Sequence, residues 1–418
     1  MLPRLRRKEY TVGWICALPV ELAAAQEILD IEHEGLERDV NDNDENLYSL
    51  GSIAGHNVVI VCLPAGRIGN NSAVAVVTQM RATFRGIRFG LMVGIGGGVP
   101  SAEVDIRLGD VVVSQPHQTS GGVIQYDLGK ATPSGFERTG WLNSPPQILL
   151  AAVAKVRANE HRGRSMLSEH VSKLDHIPGF RRPDAATDVL FEATYDHDGG
   201  QTCRQCDKDR QEARQRRESE GVVVHYGTIA SGNQVMRDGR TRDRVSRELG
   251  DILCFEMEAA GLMNSFPCLV ICGICDYADS HKDKRWQPYA AGAASAYGKT
   301  LLSTIPAVEV AKQAGVDNAM HGVTGSEYLE RTDLKAVFAG LAREKMVDLH
   351  WQTSIVDLLK LLGLDSGLDA RERLAKGLDI RVGQKGSATR NTALHGAMMK
   401  ELAANNGRVP TKIREWLS

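Results

Sequence analysis

Along the first two-thirds of the chain, short β-branched runs end in a glycine or polar turn and are often followed by apolar positions at helical spacing. The runs predict strands at Thr11–Cys16, Val58–Leu63, Phe89–Val93, Asp110–Ser114, Val222–Ile229 and Cys268–Cys275. The helical spacing predicts helices over Pro19–Leu29, Asn71–Phe84, Pro146–Val156, Met257–Ser265 and Tyr289–Lys312. This grammar is that of an α/β domain. Open α/β sheets bind ligands beyond the carboxyl ends of their strands, so the residues just after these runs are the first candidates for chemistry.

Between Asp184 and Gly221 the pattern gives way to a polar insertion, read as a surface excursion. It holds Cys203 and Cys206 at metal-ligand spacing, with His197 nearby as a third donor. The second cysteine pair that makes a zinc motif specific is missing, so an ordinary loop is the reading, zinc the alternative, and no metal ligand is assigned. Gly, Asn, Asp and Ser then mark a linker at 314–325, after a domain spanning 8–313. From 326 to 418 amphipathic helical patterns recur, at Leu334–Lys345, Ser354–Leu362, Ala370–Leu378, Thr392–Ala404 and Thr411–Leu417, enough for a small helical domain with its own core.

Composition narrows the partners. The formal net charge is −2 over 418 residues, so the strongly basic face that binds polymeric nucleic acid is not expected. No apolar run reaches the length of a membrane span, and the basic lead Arg4, Arg6, Arg7 and Lys8 is not followed by a secretory core; it reads as a short solvated lead. The 8 cysteines are scattered, several inside apolar runs, which fits reduced thiols and a cytoplasmic setting.

Five segments carry candidate chemistry. Gly94 to Gly98 follows an apolar run, and its bare backbone, Gly96 and Gly97 included, suits either a phosphate or sugar or simply a tight turn. Cys254 to Gly261 sets Glu256 and Glu258 at the start of a predicted helix, where a carboxylate either grips a ribose 2′,3′-diol or caps the helix. Asp276 closes an apolar strand, where desolvation would let it hold a proton for a leaving group; the alternative is an Asx turn. Glu21, in the first turn of the helix opened by Pro19, either activates water or complements the helix dipole. Gly227 to Met236, with Ser231 and Asn233, offers polar groups and exposed backbone to a flat base.

In this order the five segments resemble the purine nucleoside phosphorylase and nucleosidase superfamily, in the form found at the front of fungal immune-receptor-like proteins. The resemblance covers approximately residues 8 to 313, most closely at Gly13–Glu21, Leu91–Ser114, His225–Met236, Phe255–Gly261 and Gly273–Tyr289. It implies a nucleoside phosphorylase-like α/β fold, a mixed central β-sheet flanked by helices, with the small all-α domain appended. It also implies roles: Asp276 at purine N7, Glu258 on the ribose hydroxyls, Glu21 on the attacking water, Val235 and Met236 along the base, and Met257 beneath the sugar. No cofactor is expected, and the partners are a purine nucleoside or nucleotide with water, or phosphate, as co-substrate.

The arginine-bearing loop of bacterial-type phosphorylases is missing after the first strand, where Leu18-Pro19-Val20-Glu21 stands instead, which favours hydrolysis. Arg67 follows the second strand and remains open as a ligand for phosphate, a 5′-phosphoryl tail or a neighbouring carboxylate. The expected activity is therefore a purine nucleosidase acting on adenosine-type nucleosides. The alternatives are a phosphate-dependent phosphorylase and a silent nucleotide sensor. The resemblance further implies a homo-oligomer in which a neighbour closes the 5′ side of the pocket, with Thr119–Tyr126 as the contacting loop. The C-terminal segment, including Leu349 to Ser366 and Leu394-His395-Gly396, resembles a helical family of unknown function; His350 and His395 read as structural or surface histidines.

Overall fold

The strands of the N-terminal region are β1 (Val12–Cys16), β2 (Ile31–Glu32), β3 (Tyr48–Ile53), β4 (His56–Cys62), β5 (Phe89–Gly98), β6 (Val111–Ser114), β7 (Val123–Gln125), β8 (Gly129–Thr132), β9 (Gly135–Arg138), β10 (Val224–Ser231), β11 (Ile252–Glu256) and β12 (Cys268–Asp276). The helices are α1 (Pro19–Glu27), α2 (Asn70–Thr83), α3 (Gln147–His161), α4 (Leu167–Ser172), α5 (Gly239–Leu249), α6 (Ala259–Leu262), α7 (Gln287–Leu302) and α8 (Ala307–Ala311). The computed structural model describes residues 2–36, 44–199, 202–311, 313, 315–316, 349–351, 353–380, 382–404, 409–410, 412–413 and 416. They fall into two units, Met1–Met320 and His321–Ser418.

One mixed sheet runs in the order β11-β10-β6-β12-β5-β1-β4-β3-β2. Its centre is parallel: β1 pairs in parallel with β4 and β5, and β12 in parallel with β5. Such strands are covered on both faces, which is why β1 and, as far as Cys275, β12 are apolar runs with every residue buried. The antiparallel pairs are β2–β3, β3–β4, β6–β12 and a short β5–β11 contact in which Phe255 faces Gly97 and Cys254 faces Gly98. Through that last contact the sheet closes on itself around β5, β12, β6, β10 and β11, and the carboxyl ends of β5, β11 and β12 lie together.

Apolar cores lie on the two faces. One gathers Ile15, Val77, Met80, Phe266 and Val270; the other gathers Trp14, Leu91, Val113, Ile271 and Tyr297. Helix α7 is buried almost throughout, because its alanines and glycines let it lie close on the sheet. At Gly273 on β12 an added Cβ would run into the backbone of Ala290 on α7.

The long helix expected over Tyr289–Lys312 is interrupted at 303–306. Pro306, lacking an N–H and restricting the residue before it, ends one helix and opens the next. The expected turn Gly94–Gly98 is instead the carboxyl half of β5, hydrogen-bonded on both sides. The helix expected over Met257–Ser265 shrinks to α6, since Glu256 belongs to β11. Of the expected linker at 314–325, only Gly315 and Val316 lie among the described residues, and Val316 is buried in the first of the cores above. Among the described residues no helix is long and apolar enough to cross a membrane.

In the second unit α9 (Ile355–Leu361), α10 (Leu368–Gly377) and α11 (Ala388–Ala404) enclose Trp351, Leu358, Leu374, Met398 and Leu402. Ser354 caps α9 by accepting from the Asp357 N–H at 3.2 Å. His395 is structural, its Nε2 lying 2.9 Å from the Trp351 carbonyl. The helix expected at Leu334–Lys345 lies outside the described residues, as does most of the one at Thr411–Leu417.

Because α7 packs directly on the backbone of β12, Gly273→Ala is expected to destabilise the first unit by about 1–3 kcal/mol. Chemical denaturation followed by tryptophan fluorescence checks this.

Candidate active site

A cavity of about 210 Å³ opens where β1, β5, β11 and β12 end, and Glu21, Glu256, Glu258 and Asp276 all line it. They arrive from three distant parts of the chain. Each lies at a strand end or at the turn that follows it, where open α/β sheets place their ligands. All four are buried, none more than 9% exposed.

Glu21 stands where β1 passes into α1. One carboxylate oxygen accepts from the N–H groups of Ala17 at 2.6 Å and Leu18 at 2.9 Å, and the other from the Ile95 N–H at 2.9 Å. The bond to Leu18 caps the helix, so the dipole role expected as an alternative is realised. The bond to Ile95 ties the same side chain to the pocket. Burial pushes its pKa up to about 7, against the pull of the three backbone donors, and the nearby Glu256 adds to the rise.

Glu256 and Glu258 divide the two roles that the sequence left open. Glu256 caps α6, one of its oxygens accepting from the N–H groups of Glu258 and Ala259 at 2.9 Å each. Glu258 does not cap; its Oε1 accepts from the Gly69 N–H at 2.9 Å, at the amino end of α2. Burial first, and then the neighbouring Glu256, raise the Glu258 pKa well above the carboxylate range. Gly69 has φ +94°, and a Cβ there would lie 3.0 Å from Asn233 Oδ1, so a side chain is doubly opposed.

Asp276 ends β12. Its Oδ1 accepts from the Ala278 N–H at 2.9 Å, the expected Asx turn, and from Lys282 Nζ at 2.8 Å. Its Oδ2 lies 3.4 Å from the Cys275 thiol. The desolvated position expected for this carboxyl also holds an ammonium group on the pocket wall, Lys282, that is paired with it.

The glycines of β5 make room for these acids. A Cβ on Gly94 would stand 2.9 Å from Glu21 Oε1, and one on Gly97 would stand 2.8 Å from Asp276 Oδ1. Gly96 and Gly97 line the pocket through bare strand backbone. A phosphate-cradling turn is therefore corrected to a strand that carboxylates can approach.

Met257, Val235 and Met236 also line the pocket, with Val235 exposed at its rim. Three expected ligands do not line it. Ser231 Oγ accepts from the Ala260 N–H at 2.9 Å and lies 3.4 Å from Asn70 Oδ1. Asn233 accepts from the Asn70 N–H at 3.1 Å and is held by Asp127. Both brace the turn that carries Glu258, a supporting role. Arg67 is exposed on a turn beside the rim residue Ile68, its N–H donating to the Pro64 carbonyl.

Lys282, Asn70 and the Ile95 N–H were missed by sequence reasoning. The acidic loop after Asp276 also contains Lys284 and Arg285, and nothing local marks Lys282 as the one that turns inward.

The fold and pocket define a mixed α/β protein with a buried, acid-lined small-molecule cavity at the carboxyl edge of its sheet. The chain belongs to the phosphorylase superfamily, whose model matches residues 11–302. A domain of unknown function, DUF3597, matches 277–410 and so overlaps the end of that match. The chain is 50% identical over 306 residues to a nucleotide-binding leucine-rich repeat-like protein of Hyaloscypha variabilis, covering 72% of this chain and 30% of that protein. It is 27% identical over 290 residues to an ATP nucleosidase of Escherichia coli, covering 67% of this chain and 48% of the relative. It is 25% identical over 307 residues to a 5′-methylthioadenosine/S-adenosylhomocysteine nucleosidase of Mycobacterium tuberculosis, covering 71% and 97%. The chain thus spans about a third to a half of the length of the first two of these relatives.

Carboxyls with raised pKa values hold protons that an unfolded chain would release. Their contribution to stability is full below the ordinary carboxylate range and is lost as pH rises through about 7, the Glu21 value. The melting temperature of the ligand-free protein is expected to fall between pH 5 and pH 8, and Glu21→Gln to flatten that slope. Differential scanning fluorimetry across the range measures both.

Proposed function

We propose that the first unit hydrolyses the N-glycosidic bond of adenosine-type nucleosides, including 5′-phosphorylated forms, to free base and ribose. The reading rests on one observation: acids from the ends of β1, β11 and β12 share a single cavity with half-buried Met257 and apolar Phe255. It is supported by the names of two relatives, an ATP nucleosidase and a methylthioadenosine nucleosidase. Water is favoured over phosphate as co-substrate because, among the described lining residues, Lys282 is the one cation and it is already paired with Asp276. A phosphate dianion would find no unpaired cation among those residues.

In the proposed reaction the glycosidic bond stretches, positive charge builds on the ribose, and electron density flows into the purine. Asp276 relays to N7 a proton that it draws from the Lys282 ammonium bonded to its Oδ1, leaving a neutral amine on Lys282. Glu258 holds the ribose hydroxyls above Met257, and Val235 and Met236 flank the base. Glu21 takes the proton of the water that attacks the anomeric carbon. Its pKa of about 7 suits a base that works near neutrality, and acid and base assistance each contribute about 10²–10⁴-fold. Arg67, exposed next to the rim, is proposed to meet a 5′-phosphoryl tail. We also propose a cytoplasmic homo-oligomer that uses the 119–126 loop, near the exposed Leu128 and Trp141.

Incubation with adenosine, inosine, guanosine, AMP and ATP, with and without phosphate, is expected to release base and free ribose, or ribose phosphate from nucleotides, independently of phosphate. Appearance of ribose 1-phosphate only when phosphate is added would overturn hydrolysis. No base release from any of them would leave a sensing module. Asp276→Asn and Glu21→Gln are each expected to lower kcat at least about 10²-fold. For the wild type, kcat/KM is expected to fall as pH drops below about 7, because Glu21 is then protonated and cannot accept from water. A rate flat from pH 8 to pH 5.5 would remove Glu21 from the role of base.

A further inference from the structure

The insertion read from the sequence as a surface excursion is pinned to the domain. Arg217 forks onto Asp110 at 2.7 and 2.8 Å, and Arg214 donates to the Tyr277 hydroxyl at 2.7 Å. In the same insertion His197, Cys203 and Cys206 lie together, with one donor atom from each within 4.8 Å of the others. Cys206 is buried, while the other two are half-buried.

A second and independent observation comes from the loop after β12. His281 is buried between the rings of Phe191, at 4.1 Å, and Tyr195, at 5.4 Å. Its ring centre is 5.5 Å from that of His197, yet neither of its ring nitrogens has a hydrogen-bond partner. A neutral imidazole carries one donor and one acceptor, and burying both unpaired is costly. A metal ion on one nitrogen removes that cost. The carboxylate of Asp279 lies 3.8 Å from Nδ1, in position to orient the ring from behind with Nε2 turned to the metal.

We propose that His197, Cys203, Cys206 and His281 form a tetrahedral zinc site. Two thiolates and two imidazoles are a donor set that selects zinc over harder cations. Metal–ligand bonds of about 2.0–2.3 Å put donor atoms roughly 3.3–3.8 Å apart, so the trio needs to contract by about an ångström, and His281 to turn toward it. The site is structural. It holds all of its ligands from protein and lies outside the wall of the acid-lined cavity. Its effect is to clip the 184–221 insertion to the loop that carries Lys282, next in the chain to His281 and the partner of Asp276.

The test is the zinc content of the full-length protein after dialysis into metal-free buffer, measured by inductively coupled plasma mass spectrometry. About one zinc per chain is expected, falling at least tenfold in Cys203→Ser and Cys206→Ser. In competition with a chromogenic chelator, His281→Gln is expected to bind zinc at least tenfold more weakly. Since the cysteine variants risk misfolding, wild-type protein is also stripped with chelator and refilled with cobalt, which should produce the visible absorption of tetrahedral thiolate coordination. A zinc-free protein whose Cys203 and Cys206 are free thiols or joined as a disulfide would overturn the proposal. So would zinc retained at full stoichiometry in both cysteine variants, or unchanged affinity in His281→Gln. None of these readouts depends on the proposed nucleosidase activity.

Discussion

Crowding several carboxylates into one desolvated cavity is the constraint around which the rest of this domain is arranged. Each acid repels the others and loses hydration, and the raised pKa values of Glu21 and Glu258 are the measure of that cost. The fold offsets it with backbone donors: Ala17, Leu18 and Ile95 for Glu21, Gly69 for Glu258, and Ala278 for Asp276. Glu256 is spent on a helix cap and helps to fix the turn on which Glu258 stands.

These acids fit against β5 because it carries no side chain at Gly94 and Gly97, where it passes Glu21 and Asp276. Gly94 and Gly97 leave space for Glu21 and Asp276, and the short antiparallel contact with β11 brings Glu256 and Glu258 to the same place. The polar residues behind the wall, Asn70, Ser231 and Asn233, extend the same logic one layer outward. They hold the turn after β11 against the amino end of α2 and leave the cavity to the acids.

Much of the site was legible because its residues sit at strand ends, and strand ends can be read from where an apolar run stops. Glu21, Glu258 and Asp276 were read in this way, whereas Met257, Val235 and Met236 came only from the family resemblance. The roles of Ser231 and Asn233 were not legible, since a polar residue after a strand looks the same whether it faces a ligand or a neighbouring turn. Lys282 was hidden for a related reason: three basic residues follow Asp276 closely, and only the path of the loop decides which one meets it. The strand β11 was missed because Ile252 to Glu256 is short and runs directly into a turn that resembles a helix start.

By itself the sequence determined the α/β class, the place of most central strands along the chain and the chemical types available at their ends, because periodicity and local turn chemistry act over a few residues. Only the tertiary structure decided that a run of glycines would be a strand and not a phosphate loop. It alone also divided two neighbouring glutamates into a cap and a pocket acid, and buried His281 against Phe191 and Tyr195 of a distant insertion. Those outcomes depend on what packs against each residue from elsewhere in the chain, and contacts between remote segments leave no local pattern to read.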